Sequence, residues 1–237
     1  MGALAAPAID DVVDGFIKRV LAMQAAWVVV GEEGLVRAPS PTQNGRMVTL
    51  MWSKRGDADR RGVQMALNPR VKPLSLKELY VDVLPKLAEL KRLVGPDSTL
   101  AVHVEIEPAE LARRLRSEAV ALFLRKVRGA GSAWILHGPE GPAFVMSKRS
   151  LGVQMLLCWH DRASAQARIA GPLRDMVAAE VSLSAFREKM LPWLAESGRL
   201  AAPAYCEGAG LLEFAADDLN ARLGHPSPAA GPAAEVA

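Results

Sequence analysis

The sequence has few cysteines, no long apolar run and no strong excess of one charge. Two cysteines, Cys158 and Cys206, stand among 237 residues, too few for the disulfide framework of small extracellular domains. No window reaches the roughly 18 uncharged apolar residues that a membrane span requires. The first residues lack the positive region and apolar run of a signal peptide. We therefore expect a soluble cytoplasmic protein without membrane contact.

The net charge is small and evenly spread. It is only +3, and charged residues of both signs make up 23% of the chain. A division at Glu118 leaves neither half strongly basic, whereas nucleic-acid-binding domains usually carry a concentrated positive excess. Because 50% of the residues are hydrophobic, the chain can bury one large core or two smaller ones.

The stretch from Phe16 to Leu93 occurs a second time, without a gap. Trp27 and Trp134 are 107 positions apart (134 − 27). The same spacing relates Phe16 to Phe123, Trp52 to Trp159, Ser75 to Ser182, Pro85 to Pro192 and Leu93 to Leu200. The repeat predicts two domains, residues 9–117 and 118–225, followed by a disordered tail of proline, alanine and glycine over 226–237.

Each copy is predicted to open with an amphipathic helix, because apolar residues recur at i, i+3, i+4 and i+7. These residues are Val13, Phe16, Ile17 and Val20 in the first copy and Val120, Phe123, Leu124 and Val127 in the second. The basic pair Lys18 and Arg19 is expected to face outward. Each copy should close with another helix, which holds Leu111 and Leu115 or Leu219 and Leu223.

Strands and a second helix are predicted between these ends. Aromatic and β-branched runs begin at Trp27 and Trp134 and end in glycine-bounded turns, and further strands end near Trp52 and Trp159. Ser75 with Glu78 three residues later is a capping-box pattern for the next helix. Inside these helices Pro85 and Pro192 predict a kink or a break, because proline lacks the N–H group of a regular helix.

These patterns predict an α+β fold of two tandem repeats. Each repeat should be a small, mostly antiparallel sheet with helices packed on one face, and a pseudo-twofold axis should relate the two. Fused copies of a small domain commonly imitate the interface of a homodimer.

The chain also resembles a bacterial family, the domain of unknown function 2750, in two fused copies. It is more distantly similar to the N-terminal domain of the enhanced-serine-sensitivity B proteins. The matching residues are Trp27, Gly34, Trp52, Ser75, Leu76, Leu84 and Pro85, and in the second copy Trp134, Gly141, Trp159, Ser182, Leu183, Leu191 and Pro192. The resemblance implies an α+β fold and no particular reaction.

Candidate binding residues follow the second tryptophan of each copy. Trp52 and Trp159 offer aromatic faces for a base or a cation, or alternatively fill the core between sheet and helix. Arg55, Arg162, Arg61 and Arg168 follow them and would form cation–π shelves or simply pack on the indoles. The first copy adds Arg46, Lys54, Arg60, Arg70 and Lys72. The basic segment 46–72 is therefore the predicted functional surface.

Cys158 and His160 are the only candidate catalytic or metal-binding pair. They alternate on a predicted strand, so both side chains would point the same way. Their counterparts in the first copy, Met51 and Ser53, supply neither group, and a zinc site would be short of ligands. We therefore expect no metal and no cofactor.

The function predicted from the sequence is non-catalytic. We expect a bacterial accessory or immunity-type protein that binds a protein partner, as a monomer or homodimer. The alternative is a nucleic-acid-binding or regulatory module that uses the basic segment. A third possibility, an enzyme that uses Cys158, has the least support.

Overall fold

The computed structural model describes residues 9–99, 104–147, 150–203 and 213–224. These residues divide into two compact units, with the boundary between Glu118 and Ala119. We call them the first unit and the second unit. The predicted tail, residues 226–237, and Cys206 lie outside the described residues. The pseudo-twofold axis between the repeats stays a prediction.

The first unit contains two small sheets. Its elements are α1 (Ile9–Met23), β1 (Ala25–Gly31), β2 (Gly34–Leu35), β3 (Arg37–Pro39), β4 (Met47–Met51), α2 (Arg55–Asp57), β5 (Arg70–Ser75), α3 (Leu76–Glu78), α4 (Leu84–Glu89) and β6 (Leu93–Pro96). The sheet orders are β2-β1-β5 and β3-β4-β6. Most pairs are antiparallel, but β4 and β6 are parallel. A backbone bridge between Trp27 and Trp52 joins the two sheets.

Helix α5 (Pro108–Ala130) crosses the boundary between the units. The sequence predicted two helices here, one that closes the first copy and one that opens the second. They are one continuous helix of 23 residues. Its residues Leu111 and Leu115 are buried, as are Phe123 and Val127 further along.

The second unit contains one larger sheet. Its elements are β7 (Ser132–Gly138), β8 (Gly141–Pro142), β9 (Phe144–Met146), β10 (Gln154–Trp159), α6 (Arg162–Gln166), β11 (Val177–Ser182), α7 (Leu183–Ala185), α8 (Leu191–Glu196), β12 (Leu200–Pro203), β13 (Phe214–Ala215) and α9 (Ala216–Gly224). The main order is β11-β7-β10-β12-β13, with β8 on β7 and β9 on β10. Only β10 and β12 pair in parallel among these strands.

Alternate residues of the second sheet face two apolar clusters. Ile135 and Cys158 pack with Phe123 and Phe186, on the side of the longer helices. Their sequence neighbours pack on the opposite side, with Ala165 of the short helix α6. The α+β class and the mostly antiparallel sheets predicted from the sequence are confirmed.

The prolines inside the repeated helix follow a widened helical turn. In the first unit a π-helical turn over Leu79–Val83 lies between α3 and α4, and the Leu84 N–H donates to the Leu79 carbonyl. The second unit has the same turn over Phe186–Met190. A π turn leaves room for the proline ring, which would clash with a carbonyl in a regular α-helix. The helix therefore passes through Pro85 and Pro192 without ending.

Ser75 begins its helix as the sequence predicted. Its hydroxyl accepts from the Glu78 N–H, and the Glu78 carboxylate accepts from the Ser75 N–H, so both halves of the capping box are present. Ser182 caps the equivalent helix through the Ala185 N–H alone.

Candidate functional site

The basic segment lies on three different elements, and its first arginine is fully engaged in the fold. The Arg46 guanidinium donates to both oxygens of Glu107, at 2.5 and 3.0 Å, and its Nε donates to the Lys91 carbonyl at 2.8 Å. The hydrogen bond between Arg46 and Glu107 raises the pKa of the arginine and lowers the pKa of the glutamate. Arg46 therefore stabilises the loop before β4, and its charge is paired rather than available to a ligand.

Two further arginines of the segment are paired with nearby carboxylates. Arg55 lies 3.5 Å from Asp59, and Arg60 lies 2.8 Å from Asp57. The remaining cations of the segment have no acidic partner among the described residues: Lys54, Arg61, Arg70 and Lys72. The free positive charge is thus smaller than the sequence indicated.

Strand β5 carries two of the unpaired cations. The sequence predicted no strand here, yet Arg70 and Lys72 are exposed residues on it. They line an open cleft of about 660 Å³. Glu32 also lines this cleft and accepts a hydrogen bond from Asn68. The cleft is therefore mixed in charge rather than purely basic.

The predicted arginine–tryptophan shelves form, but with the first tryptophan of each copy. The Arg55 guanidinium lies 5.7 Å from the centroid of the Trp27 ring. In the second unit, Arg162 lies 5.9 Å from Trp134. These tryptophans are half-buried and leave part of each ring at the surface. Arg168 is half-buried and makes no such contact.

Trp52 and Trp159 are not at the surface where the prediction placed them. They are 0% and 2% exposed. Trp52 lies in the cluster with Val29 and Leu50, and its Nε1 donates to the Ser98 carbonyl at 3.3 Å. The rings fill the core beneath the sheet, as the alternative interpretation held.

Cys158 and His160 lie in different environments. The Cys158 thiol is fully buried beside Phe123 and Phe186, and burial raises its pKa. A thiol of this kind stays protonated and unreactive. His160 is half-buried, with its Nε2 3.0 Å from Asp161, and burial lowers its pKa. No group of three metal-binding side chains occurs among the described residues.

A polar cluster that the sequence did not predict joins the ends of β4 and β6. The Asp97 carboxylate accepts from the Ser53 N–H at 2.7 Å and from its hydroxyl at 2.8 Å. Arg19 donates to Ser53 Oγ at 2.7 Å and to Asp97 at 2.8 Å. Arg19 was expected to face solvent freely, so this contact corrects that expectation. Residues 19 and 97 are far apart in sequence, and no local pattern marks the pair.

The same position in the second unit carries different groups. Lys126 occupies the position equivalent to Arg19, and His160 occupies the position equivalent to Ser53. Lys126 is near enough to help lower the pKa of His160, after the larger effect of burial. Because the Ser53 side chain is 2% exposed and fully hydrogen-bonded, we interpret the first-unit cluster as structural.

An exposed cluster of aromatic and arginine side chains lies in the second unit. The Arg199 guanidinium lies 4.8 Å from the Phe144 ring and 5.1 Å from the Trp193 ring. The two rings are 5.9 Å apart. Trp193 is 40% exposed and Met146, two residues after Phe144, is 54% exposed. We call Phe144, Met146, Trp193 and Arg199 the Trp193 surface.

The Trp193 surface has no equivalent in the first unit. By the spacing of the repeat, Trp193 replaces Lys86 and Phe144 replaces Arg37. Lys86 pairs with Glu89 at 3.0 Å, as Arg37 pairs with Glu33 at 3.3 Å. No local sequence pattern predicted this surface, because Phe144, Trp193 and Arg199 lie on separate elements that only the fold brings together. The signal available was the fifth tryptophan, which has no partner in the repeat.

These features define a duplicated α+β protein with an exposed aromatic surface on one copy. The chain belongs to the family described as "Protein of unknown function (DUF2750)", which matches residues 13–115 and again residues 120–223. This confirms the predicted duplication and family. The more distant similarity to the enhanced-serine-sensitivity B proteins stays a prediction.

Two solved structures are weakly similar to the chain. Anabaena Tic22 (protein transport) has 14% identity and a TM-score of 0.26, and the match covers 76% of this chain and 89% of that one. Tic22 from Plasmodium falciparum has 8% identity and a TM-score of 0.24, with 87% and 93% covered. Similarity at this level carries no functional argument. No curated protein matches the sequence significantly, and no described helix is long and apolar enough to cross a membrane.

Proposed function

We propose that the chain is a non-catalytic accessory protein that binds a protein partner through the Trp193 surface. The observation that carries the proposal is the half-exposed Trp193 ring, which contacts the Phe144 ring while the Arg199 guanidinium lies against both. Tryptophan and arginine are the residues most enriched among those that dominate binding energy in protein interfaces. Methionine and phenylalanine are enriched there as well.

The surface is held in place before any partner arrives. Arg199 is fixed by the two rings and by a hydrogen bond from its Nε to Gln154 at 3.1 Å. Phe144 lies on β9, which pairs with β10. Binding therefore immobilises few side chains, and a low ordering cost favours affinity.

A catalytic role has less support. The only candidate nucleophile that we identified, Cys158, is buried and its pKa is raised. The Ser53 hydroxyl is enclosed and hydrogen-bonded to Asp97 and Arg19. Neither group can reach a substrate in this conformation.

The test is a photo-cross-linking capture from the organism of origin, with nuclease-treated extracts. The full chain carries a photoreactive residue at position 146, which is exposed on β9 two residues after Phe144. Variant Trp193→Lys places the first unit's residue at this site, and Lys86→Ala alters the matched position of the first unit. We expect the capture of one protein, reduced at least about tenfold by Trp193→Lys and unchanged by Lys86→Ala.

Two results would contradict the proposal. One is capture that Trp193→Lys leaves intact while circular dichroism shows that the variant is folded. The other is the absence of any cross-linked protein. If a partner is found, the identity of the genes beside the coding sequence will separate an immunity-type role from a general accessory role.

A nucleic-acid-binding role is the second candidate. It is favoured by the unpaired cations Arg70 and Lys72, which line one cleft on β5. The ion pairs of Arg46, Arg55 and Arg60 weigh against it. Loss of all captured material on nuclease treatment would favour this alternative over the Trp193 surface.

A further inference from the structure

Strand β11 is an edge strand of the second sheet, and no described residue hydrogen-bonds to its outer backbone groups. Leu183 N–H donates to the Gly131 carbonyl at 2.7 Å, just beyond the end of the β7–β11 ladder. Hydrogen-bonded and non-hydrogen-bonded pairs alternate along an antiparallel ladder. The backbone groups of Val177, Ala179 and Val181 therefore face β7, whereas those of Ala178 and Glu180 point away from it.

No described strand pairs with this edge, and helix α6 packs on one face of β11 rather than along its edge hydrogen bonds. No described residue makes a hydrogen bond to the backbone groups of Ala178 or Glu180 on the outer side. The side chains of Val177, Glu180 and Ser182 are exposed, and Val177 is 62% exposed. A strand with free N–H and C=O groups is a template for pairing with another strand.

The equivalent strand of the first unit is protected against such pairing. The Leu76 N–H donates to the Gln24 carbonyl, just beyond the end of the β1–β5 ladder. By the same alternation, the backbone groups of Val71 and Pro73 point away from β1. Pro73 offers no N–H group, and Lys72 beside it is exposed. Proline and lysine are the residues that natural proteins place on edge strands to prevent association. At the same positions β11 has Glu180 and Ala179.

We propose that β11 is an interaction surface for a second copy of this chain, which pairs with it antiparallel about a twofold axis at Ala179. In this register the outward groups of Ala178 meet those of Glu180 of the partner subunit, and four backbone hydrogen bonds form. Val177 lies opposite Val181 of the partner subunit. Ala179 lies opposite Ala179 of the partner subunit.

The charge of Glu180 favours this register, and it favours a second copy of the chain as the partner strand. Glu180 is the only charged residue of β11, and its carboxylate accepts from the Ser132 hydroxyl at 2.6 Å. A twofold axis at residue 179 places each Glu180 opposite an alanine. An axis at residue 180 would place two carboxylates opposite each other, which destabilises a sheet. The side chains of Val177, Ala179 and Val181 on one face are all apolar. In a dimer they would therefore lie beside the same apolar side chains of the partner subunit. The proposal uses no residue of the Trp193 surface and does not rest on the proposed function.

The first test uses residues of the protected strand. Sedimentation equilibrium of the full chain should give a mass that rises from 25.4 kDa toward twice that value at concentrations up to about 1 mM, since one strand pair is smaller than a standard interface. Ala179→Lys and Glu180→Pro introduce the residues of β5. We expect both variants to stay monomeric at the concentration where the wild type is half dimeric, and Lys72→Ala to behave as the wild type.

The second test locates the axis. Cα atoms of a non-hydrogen-bonded antiparallel pair lie about 4.5 Å apart, a separation that a disulfide spans. In a Cys206→Ser background, Ala179→Cys should form an intermolecular disulfide under mild oxidation, and Ala178→Cys should not. This readout does not require the lysine or proline variants to fold.

Three outcomes would overturn the proposal. They are a mass of one chain at every concentration, a dimer that both Ala179→Lys and Glu180→Pro leave intact, and equal cross-linking through positions 178 and 179. The first outcome, combined with capture of another protein that Ala179→Lys weakens, would assign the edge to an extended segment of that protein instead.

Discussion

Replacement of Asp97 by alanine should destabilise the first unit by about 4 kcal/mol. The largest part comes from the backbone N–H of Ser53, which loses its acceptor at 2.7 Å in a residue that is 2% exposed. A buried unsatisfied donor costs about 1–3 kcal/mol. The ion pair adds less, at most about 1 kcal/mol, because the Arg19 side chain is 42% exposed and regains water.

Backbone strain contributes the remainder. Asp97 has a φ of 48°, in the left-handed region. Aspartate and asparagine tolerate this region, whereas alanine costs about 1–2 kcal/mol there. Asp97→Asn keeps the backbone conformation and an acceptor for Ser53, so its loss should be about 1 kcal/mol. The difference between the two variants separates the lost hydrogen bonds and strain from the lost charge.

The assay combines urea unfolding with hydrogen exchange. Exchange should accelerate at the amides of β4 and β6, which the cluster joins, more than at those of β10 in the second unit. Asp59→Ala is the matched control, because Asp59 makes only an exposed pair with Arg55 at 3.5 Å; its effect should stay within about 0.5 kcal/mol. An Asp97→Ala loss no larger than that of the control would refute the reasoning.

Two other predictions concern His160 and the repeated helix caps. Burial lowers the pKa of His160 from 6.5, so its contribution to stability is present above pH 6.5 and is lost as the pH falls through the folded value. His160→Gln should therefore show a smaller drop in unfolding free energy than the wild type between pH 7.5 and about 5.5, and equal drops would exclude His160 as the cause. Ser75→Ala should cost about 1 kcal/mol and Ser182→Ala less, because the Ser75 hydroxyl also donates to the Glu78 carboxylate at 2.7 Å whereas the Ser182 hydroxyl contacts the neutral hydroxyl of Ser184. Urea titrations of both variants check this order, and a larger loss for Ser182→Ala would contradict it.

The repeat and its strongest local signals could be predicted from the sequence. The face with Val13 and Phe16, and the cap at Ser75, depend on neighbours within one or two turns, and the structure has both. Strand β5 was missed because Arg70, Lys72 and Pro73 suppress the usual strand pattern at an edge. Strands β6 and β12 were missed because four-residue apolar segments are ambiguous without their partner strands.

The candidate sites were harder to predict because they are made by distant residues. Arg19 and Asp97 meet across 78 positions, and no periodicity links them. Trp193 and Phe144 meet only because α8 packs near β9. The binding roles predicted for Trp52 and Trp159 required exposed rings, whereas both rings are buried in the fold. The sequence of a tryptophan at the end of a strand is the same whether its side chain points into the core or toward solvent.

The π turn before each proline constrains how this gene can change. A π turn contains one residue more than an α turn, so the wider turn absorbs the extra residue and the faces of the helix stay in phase beyond it. Deletion of a single codon within 79–83 would therefore leave Leu84 and Leu87 facing the core, where they are 2% and 3% exposed, but it would produce a regular α turn whose carbonyl clashes with the ring of Pro85. The two copies carry the turn at the same place in the repeat, directly before the leucine and proline that both share. Neither copy can therefore lose that codon unless its proline is replaced as well.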